Sequence, residues 1–175
     1  MADNMAKLLF DGKTYELPIV VGSEGERAID IKGLRLNTSY VTLDPGFGNT
    51  GACESKITFI NGEKGVLRYR GIPIEQLAEK STFIETAYLV IHGELPTKDT
   101  LDEFSKSFTE HSMIHEDMKN FFRGYPPTAH PMAILSAMVC SLSGYYPELV
   151  KIEPTEEEMS NIIIELMSKV RTISA

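Results

Sequence analysis

The apolar positions of this chain follow two periods, one in the first third and another in the remainder. Up to residue 70 they form short runs rich in Val, Ile, Thr and aromatic residues, which are typical of β-strands. Asp11-Gly12 and Asn61-Gly62 stand between such runs and predict hairpin turns. We therefore expect a strand on each side of Asp11-Gly12, strands at residues 56–60 and 66–69 around Asn61-Gly62, and a further strand at residues 39–43.

From residue 71 onward the spacing of apolar residues becomes helical. Thr82 with Glu85, and Thr155 with Glu158, have the three-residue spacing of capping boxes at helix starts. Gly93 supplies a left-handed stop for the first of these helices. The sequence thus predicts one helix over residues 83–92 and a last helix that begins after Thr155.

Prolines indicate the other helix boundaries. Pro73 suits a first helical position, Pro96 precedes the next helix, and Pro126-Pro127 predicts a loop before Pro131 restarts a helix. A break is expected near residue 111, although the apolar stripe continues beyond it. The helix after Pro131 is apolar nearly all round, which predicts burial on every side.

These patterns predict a mainly α, multi-helical fold with a small antiparallel β segment at the amino terminus. We expect a β-rich segment over residues 1–70 and a helical segment over residues 71–175. The last helix continues without a Gly, Asn or Pro stop, so the chain is expected to be truncated and to self-associate through exposed apolar faces. The stripe that would need cover consists of Met159, Ile162, Ile163, Leu166, Met167 and Val170.

Composition and charge exclude several classes of function. With 42% apolar residues among 175, the chain can bury a core, and its 25 acidic against 17 basic residues argue against nucleic acid as a partner. The amino terminus lacks an apolar run of signal-peptide length. The longest apolar stretch, residues 131–142, is shorter than the roughly 20 residues that span a bilayer. A cytoplasmic protein without a membrane partner is expected.

Five groups of residues could carry chemistry, and each has a simpler structural interpretation. Residues 46–51 fit the letters GxGxxG, but a β-like run follows where a dinucleotide site needs a helix, which favours a loop. His111 and His115 are four apart with Glu116 beside them, yet two histidines do not complete a zinc site. Arg68 and Arg70 could clamp an anion, and surface ion pairing is the alternative.

The remaining candidates are acidic residues and cysteines. Glu153 and residues 156–158 suit the first turn of a helix, where carboxylates favour the helix dipole. Cys53 and Cys140 lie far apart and outside any metal-binding spacing, so we expect two small buried side chains. No metal site and no bound cofactor is predicted.

Residues 55–97 closely resemble the amino-terminal signature of citrate synthases, including GVLRYRG at residues 65–71 and LPT at residues 95–97. DPGF at residues 44–47, HSMIHE at residues 111–116 and HPMA at residues 130–133 resemble the longer bacterial form. The β-rich front, residues 7–60, favours citrate synthase over the shorter 2-methylcitrate synthases. The resemblance covers nearly the whole chain.

This resemblance implies the chemistry of a longer parent enzyme. In that parent a carboxylate removes an α-proton from acetyl-CoA, one histidine stabilises the enolate, and another assists its attack on oxaloacetate. Arginines hold the dicarboxylate. No residue of this chain matches those catalytic motifs, so none is assigned as catalytic. The chain is expected to be an inactive scaffold that helps the parent form a homo-oligomer, and a stand-alone helical interaction module is the alternative.

Some long bacterial members of the family are inhibited by NADH at a site built partly from this region. His111, Ser112, Tyr146 and Lys169 are compatible with such an allosteric site. Glu110 and Glu165, however, occupy places where NADH-binding members offer arginine, and a carboxylate repels a pyrophosphate. These four residues are the site residues that the sequence offers.

Overall fold

A computed structural model describes residues 4–175 of the chain. These residues form helices and two small antiparallel sheets, which confirms the predicted fold class. The chain divides into two compact units, with the division between Ser55 and Lys56. The division at residue 70 proposed from the change of period stays a prediction. Within residues 4–175 no helix has both the length and the apolarity to cross a membrane.

The first unit contains a three-stranded antiparallel sheet in the order β1-β2-β3. Asp11 and Gly12 connect the first two strands with φ angles of 52° and 76°, the left-handed conformation that a two-residue hairpin turn requires. The predicted hairpin is therefore confirmed. The strands are β1 Met5–Phe10, β2 Lys13–Val21 and β3 Arg27–Ile29.

A short helix, α1 Leu34–Thr38, follows these strands and was not predicted. Ser39 ends it with a φ of 65°, and residues 40–43 form no strand, so the predicted strand at residues 39–43 is wrong. Tyr40 instead stacks on Phe10 with ring centroids 4.7 Å apart, while Val41 is 70% exposed. A β-prone sequence forms a strand only where a partner strand accepts its hydrogen bonds.

The second unit begins with an antiparallel sheet of three short strands around the predicted turn at Asn61-Gly62. The predicted strands at residues 56–60 and 66–69 are confirmed with small shifts in their bounds. Pro73 precedes the first helical residue and serves as the N-cap rather than as the first helical position. The elements are β4 Thr58–Asn61, β5 Val66–Tyr69, β6 Ile72–Pro73 and α2 Ile74–Lys80.

Both predicted capping boxes are present in full, at the starts of α3 and α7. Thr82 accepts from the Glu85 amide at 3.3 Å, and the Glu85 carboxylate accepts from the Thr82 amide at 2.6 Å. Gly93 ends its helix with a φ of 94°. These local signals fix the bounds of α3 Phe83–His92 and the start of α7 Glu156–Ser174.

Between these helices the chain follows the remaining predicted boundaries. Helix α4 Lys98–Glu110 ends one residue before the expected break, and α5 Lys119–Arg123 follows after a 3-10 turn at Glu116–Met118. Helix α6 Pro131–Tyr145 and a second 3-10 turn, Pro147–Val150, lead into α7. One buried cluster of the helical part consists of Met118, Met138, Leu142 and Ile173, and Leu77, Leu89, Phe104 and Phe108 are also buried.

Helix α6 is buried along one side only within residues 4–175. Met138 and Leu142 are each 1% exposed, whereas Met132 is 62% exposed and Cys140 is also exposed. The prediction of burial on every side is therefore wrong for the described residues. Uniform apolarity does not indicate which face packs, and the neighbours of α6 in this chain cover a single face.

Candidate functional site

The four site residues predicted from the sequence lie together where α4 ends, α6 ends and α7 passes. We call this group the polar junction, and it consists of His111, Ser112, Tyr146 and Lys169 with the adjoining Met113, Glu165 and Thr172. Residues from three separate stretches of sequence meet there. The capping box and the length of α7 place Lys169 nearly four turns into that helix, opposite the break after Glu110.

Lys169 is the centre of the polar junction and is only 3% exposed. Its Nζ donates to the carbonyl oxygens of His111 at 3.2 Å and Met113 at 2.9 Å. Its Nζ also lies 3.2 Å from Glu165 Oε1 and 3.9 Å from the centroid of the Tyr146 ring. The ammonium therefore donates two hydrogen bonds to backbone carbonyls and forms an ion pair with Glu165.

Ser112 contributes its backbone rather than its side chain to the contact with α7. Thr172 Oγ1 donates to the Ser112 carbonyl oxygen at 2.6 Å, while the Ser112 hydroxyl donates back to Thr109 O at 2.7 Å. The imidazole of His111 lies with Nδ1 2.8 Å from Ser107 O. Both side chains therefore contact the end of α4.

One carboxylate lies within the polar junction and another lies beside it. Glu165 is 15% exposed beside Lys169, and Glu110 lies on the surface with its Oε1 3.9 Å from Lys106 Nζ. The Glu165 carboxylate neutralises the buried ammonium, so a bound pyrophosphate would meet a negative charge next to the cation it needs. Binding of NADH by His111, Ser112, Tyr146 and Lys169 stays a prediction.

Sequence reasoning did not select Met113 or Thr172, and it named Glu165 only as an obstacle to a pyrophosphate. Glu165 and Lys169 are four residues apart on a predicted helix, so an ion pair between them could have been predicted from the sequence. No local signal marks Thr172, because its partner Ser112 lies 60 residues away in sequence.

The GxGxxG letters at residues 46–51 lie in a loop, and no helix follows within the next residues. The carboxylate of Asp44 accepts from the Asn49 amide and from the Thr50 hydroxyl, each at 2.8 Å. These hydrogen bonds, led by that from Asn49, hold the pKa of Asp44 below its ordinary value. The loop is thus organised around a negative charge, which does not favour a phosphate.

The two histidines considered as a metal pair do not share a helix. His111 follows the end of α4, and His115 is the N-cap of the 3-10 turn, where its Nδ1 accepts from the Asp117 amide at 3.2 Å. Its ring also stacks on Tyr145 at 4.9 Å. Within the part of the chain that the structure describes, no three His, Cys, Asp or Glu residues are grouped to hold a metal ion.

Arg70 has a structural role at the end of α3. Its Nε and Nη2 donate to the carbonyl oxygen of Val90 at 3.2 and 2.8 Å, and such a cation favours the carboxyl end of a helix. Arg68 lies over the Phe59 ring, with its Cζ 5.6 Å from the centroid.

Cys53 and Cys140 are exposed, so the prediction of buried cysteines is wrong.

An open and mainly apolar cavity of about 270 Å³ lies between α3, α4 and α7. Its lining includes Phe104 and Ile163 together with the polar side chains of Thr100 and Ser160. The Ser160 hydroxyl donates to Glu156 O, and that of Thr100 bonds Thr97. These two hydroxyls are used at the starts of their own helices and do not define a ligand.

Comparison with known proteins identifies the family. A family model described as "Citrate synthase, C-terminal domain" matches residues 46–175. The chain belongs to the citrate synthase family. Citrate synthase 1 of Mycobacterium tuberculosis is 47% identical over 174 residues, which are 99% of this chain and 40% of that protein. The resemblance found in the sequence is therefore confirmed, and the chain spans well under half the length of this relative.

Solved citrate synthases share the fold. The structure from Thermotoga maritima is 32% identical with a TM-score of 0.61, over 75% of this chain and 33% of that one. The ternary complex of the Thermoplasma acidophilum citrate synthase with carboxymethyl coenzyme A and oxaloacetate is 22% identical with a TM-score of 0.65. It covers 73% of this chain and 33% of its own, and at that identity shows the fold alone. The family model is named for a carboxyl-terminal domain, so the amino-terminal position of this chain in a longer parent stays a prediction.

Proposed function

We propose that the complete protein is a cytoplasmic citrate synthase of the tricarboxylic acid cycle. This acyltransferase would condense acetyl-CoA with oxaloacetate and water to give citrate and CoA. The observation that carries the proposal is the 47% identity to citrate synthase 1 of Mycobacterium tuberculosis across 99% of the chain. The β-rich front supports citrate synthase rather than the alternative, a 2-methylcitrate synthase.

Release of the CoA thiol, followed with a chromogenic disulfide, tests this activity in the complete protein. Thiol should appear only when acetyl-CoA and oxaloacetate are both present, and citrate should form in equal amount. Faster release from propionyl-CoA than from acetyl-CoA would replace the proposal with 2-methylcitrate synthesis. No release from either thioester would contradict both.

The role proposed for the 175-residue chain is a scaffold that is inactive by itself. It rests on the 40% share of the relative that the chain spans and on the absence of a matching catalytic motif in its sequence. The same thiol assay on the isolated chain should give the rate of the blank. Citrate formation by the chain alone would end this proposal.

Oligomerisation of the parent is the second part of the proposed role. The outer face of α6 exposes Met132, Ala133, Ala137 and Cys140, which are apolar or small and allow close approach of a second helix. Sedimentation should show an assembly that Ala137→Glu weakens, while Asn161→Glu at an exposed position of α7 leaves it intact. A monomer at high concentration would contradict this role.

A stand-alone interaction module remains the alternative, because α7 exposes Met159 at 45% and Leu166 at 36%. The natural reading frame distinguishes the two hypotheses: a stop directly after Ala175 favours the module, and continuation favours the scaffold.

NADH regulation through the polar junction is a separate proposal. Absence of heat on titrating the complete protein with NADH at millimolar concentration would rule it out.

A further inference from the structure

The break between α4 and α5 lacks the two commonest sequence signals for the end of a helix. Residues 98–123 contain neither glycine nor proline, and the apolar stripe of α4 continues through Met118 and Phe121. Many helices end at a glycine in the left-handed conformation or shortly before a proline. His111, which follows Glu110, instead has an ordinary φ of −91°. The local side-chain contacts at this end are to carbonyl groups inside α4, since Ser112 donates to Thr109 O and His111 Nδ1 lies 2.8 Å from Ser107 O. The carbonyl groups of residues 111–113 take partners from outside this segment.

The carboxyl end of α4 also lacks a cation of its own. Its last turn carries no basic residue, and the terminal carbonyl groups of a helix have a partial negative charge and no partners within the helix. Lys169 brings an ammonium to this end from 58 residues further along the chain, where it donates to His111 O. The helix end is thus completed by a tertiary contact.

Three successive carbonyl groups receive hydrogen bonds from one face of α7. Lys169 donates to His111 and Met113, and Thr172, three residues later on the same helix, donates to Ser112 between them. Each of these three carbonyl oxygens accepts a hydrogen bond from a side chain of α7. Together, the three hydrogen bonds connect residues 111–113 to helix α7.

We propose that Lys169 and Thr172 form a latch by which α7 imposes the break after Glu110. The latch is a conformational device: residues 111–115 keep their fixed, non-helical path only while α7 holds the three carbonyl groups. It couples this path to the core, since Met118 is fully buried beside Ile173 of α7. The inference does not depend on the proposed enzymatic activity.

Hydrogen exchange followed by mass spectrometry on the complete protein tests the latch. In Lys169→Met the exchange of amides 109–119 should accelerate by at least about ten-fold more than that of other segments, because two carbonyl groups of this segment lose their donor. Peptides from α3 and from the first half of α4 should show only the smaller acceleration that general loss of stability causes. Lys106→Met is the matched control, because Lys106 also pairs with a glutamate four residues away, at 3.9 Å, but is 76% exposed.

Thr172→Val provides a second and milder variant in case Lys169→Met fails to fold. It removes one hydroxyl of the latch and preserves the shape of the side chain, so faster exchange confined to residues 109–119 is again expected. Unchanged exchange in that segment would overturn the proposal. An increase of the same size in all helices would overturn it as well, because it would show general destabilisation rather than release of the break.

Discussion

Helix α7 contributes a glutamate to each of two lysine–glutamate pairs. The pair with the shorter N–O distance is exposed to solvent, and the pair with the longer distance is buried. Near its start, Lys151 Nζ lies 2.7 Å from Glu158 Oε1, and the two side chains are 48% and 44% exposed. Near its end, Lys169 Nζ lies 3.2 Å from Glu165 Oε1, with exposures of 4% and 15%. Water screens the first pair and not the second. The longer contact should therefore matter more, because burial rather than distance decides the cost of breaking it.

Removing the buried cation should have the largest effect. Lys169→Met leaves Glu165 without its partner and two carbonyl groups without a donor, which should lower the free energy of unfolding by about 3–5 kcal/mol. Urea denaturation followed by circular dichroism measures this. The Lys106→Met control should change it by less than about 0.5 kcal/mol. Equal losses of unfolding free energy in Lys169→Met and Lys106→Met would contradict the claim that burial decides the cost of breaking an ion pair.

A threonine hydroxyl forms a hydrogen bond near each end of α7, from Thr155 at the start and from Thr172 near the end. Removing the hydroxyl of Thr155 should have an intermediate effect on stability. Thr155→Ala removes the acceptor of the Glu158 amide and should cost about 1 kcal/mol, the usual value for an N-cap. Thr155→Ser, which keeps the hydroxyl, should restore most of the loss in the same urea experiment. A serine variant as unstable as the alanine variant would show that the methyl group, not the cap, is responsible.

These contrasts also explain what the sequence could predict. The capping boxes and the turns at Asp11-Gly12 and Asn61-Gly62 are complete within a few residues, so local spacing identifies them. The strand expected at residues 39–43 failed because a strand depends on a partner that local pattern cannot supply. The helix end at Glu110 was expected only as a break.

The same limit applies to the candidate site. Lys169 was selected through a resemblance, but its burial and its contacts with His111 and Met113 depend on residues 56 to 58 positions away. Thr172 gave no signal for the same reason. The exposed face of α6 is the converse case, since an apolar pattern predicts burial without saying which chain provides the cover.

Acid should reveal a small contribution from the exposed pair. The hydrogen bond from Lys151, followed by that from the Thr155 amide, lowers the pKa of Glu158 below its ordinary value of 4.5. A depressed pKa stabilises the folded state above the unfolded value, and this contribution is lost as the pH falls through the folded pKa. At neutral pH the unmodified protein should have a higher melting temperature than the Glu158→Gln variant. The difference between the two should vanish in acid. A difference that persists at the lowest pH would contradict this origin.

The smallest effect should come from Lys151 itself. Lys151→Met removes a 2.7 Å ion pair, yet the side chains are nearly half exposed and the capping box remains, so the melting temperature should stay within experimental error. The pKa of Glu158, measured by carbon-13 NMR of the carboxylate, should nevertheless rise, because Lys151 is the largest cause of its depression. A shifted pKa with unchanged stability would show that the exposed pair is formed but contributes little. An unchanged pKa would mean that the 2.7 Å contact does not persist in solution, and the comparison with Lys169 would then lose one of its two members.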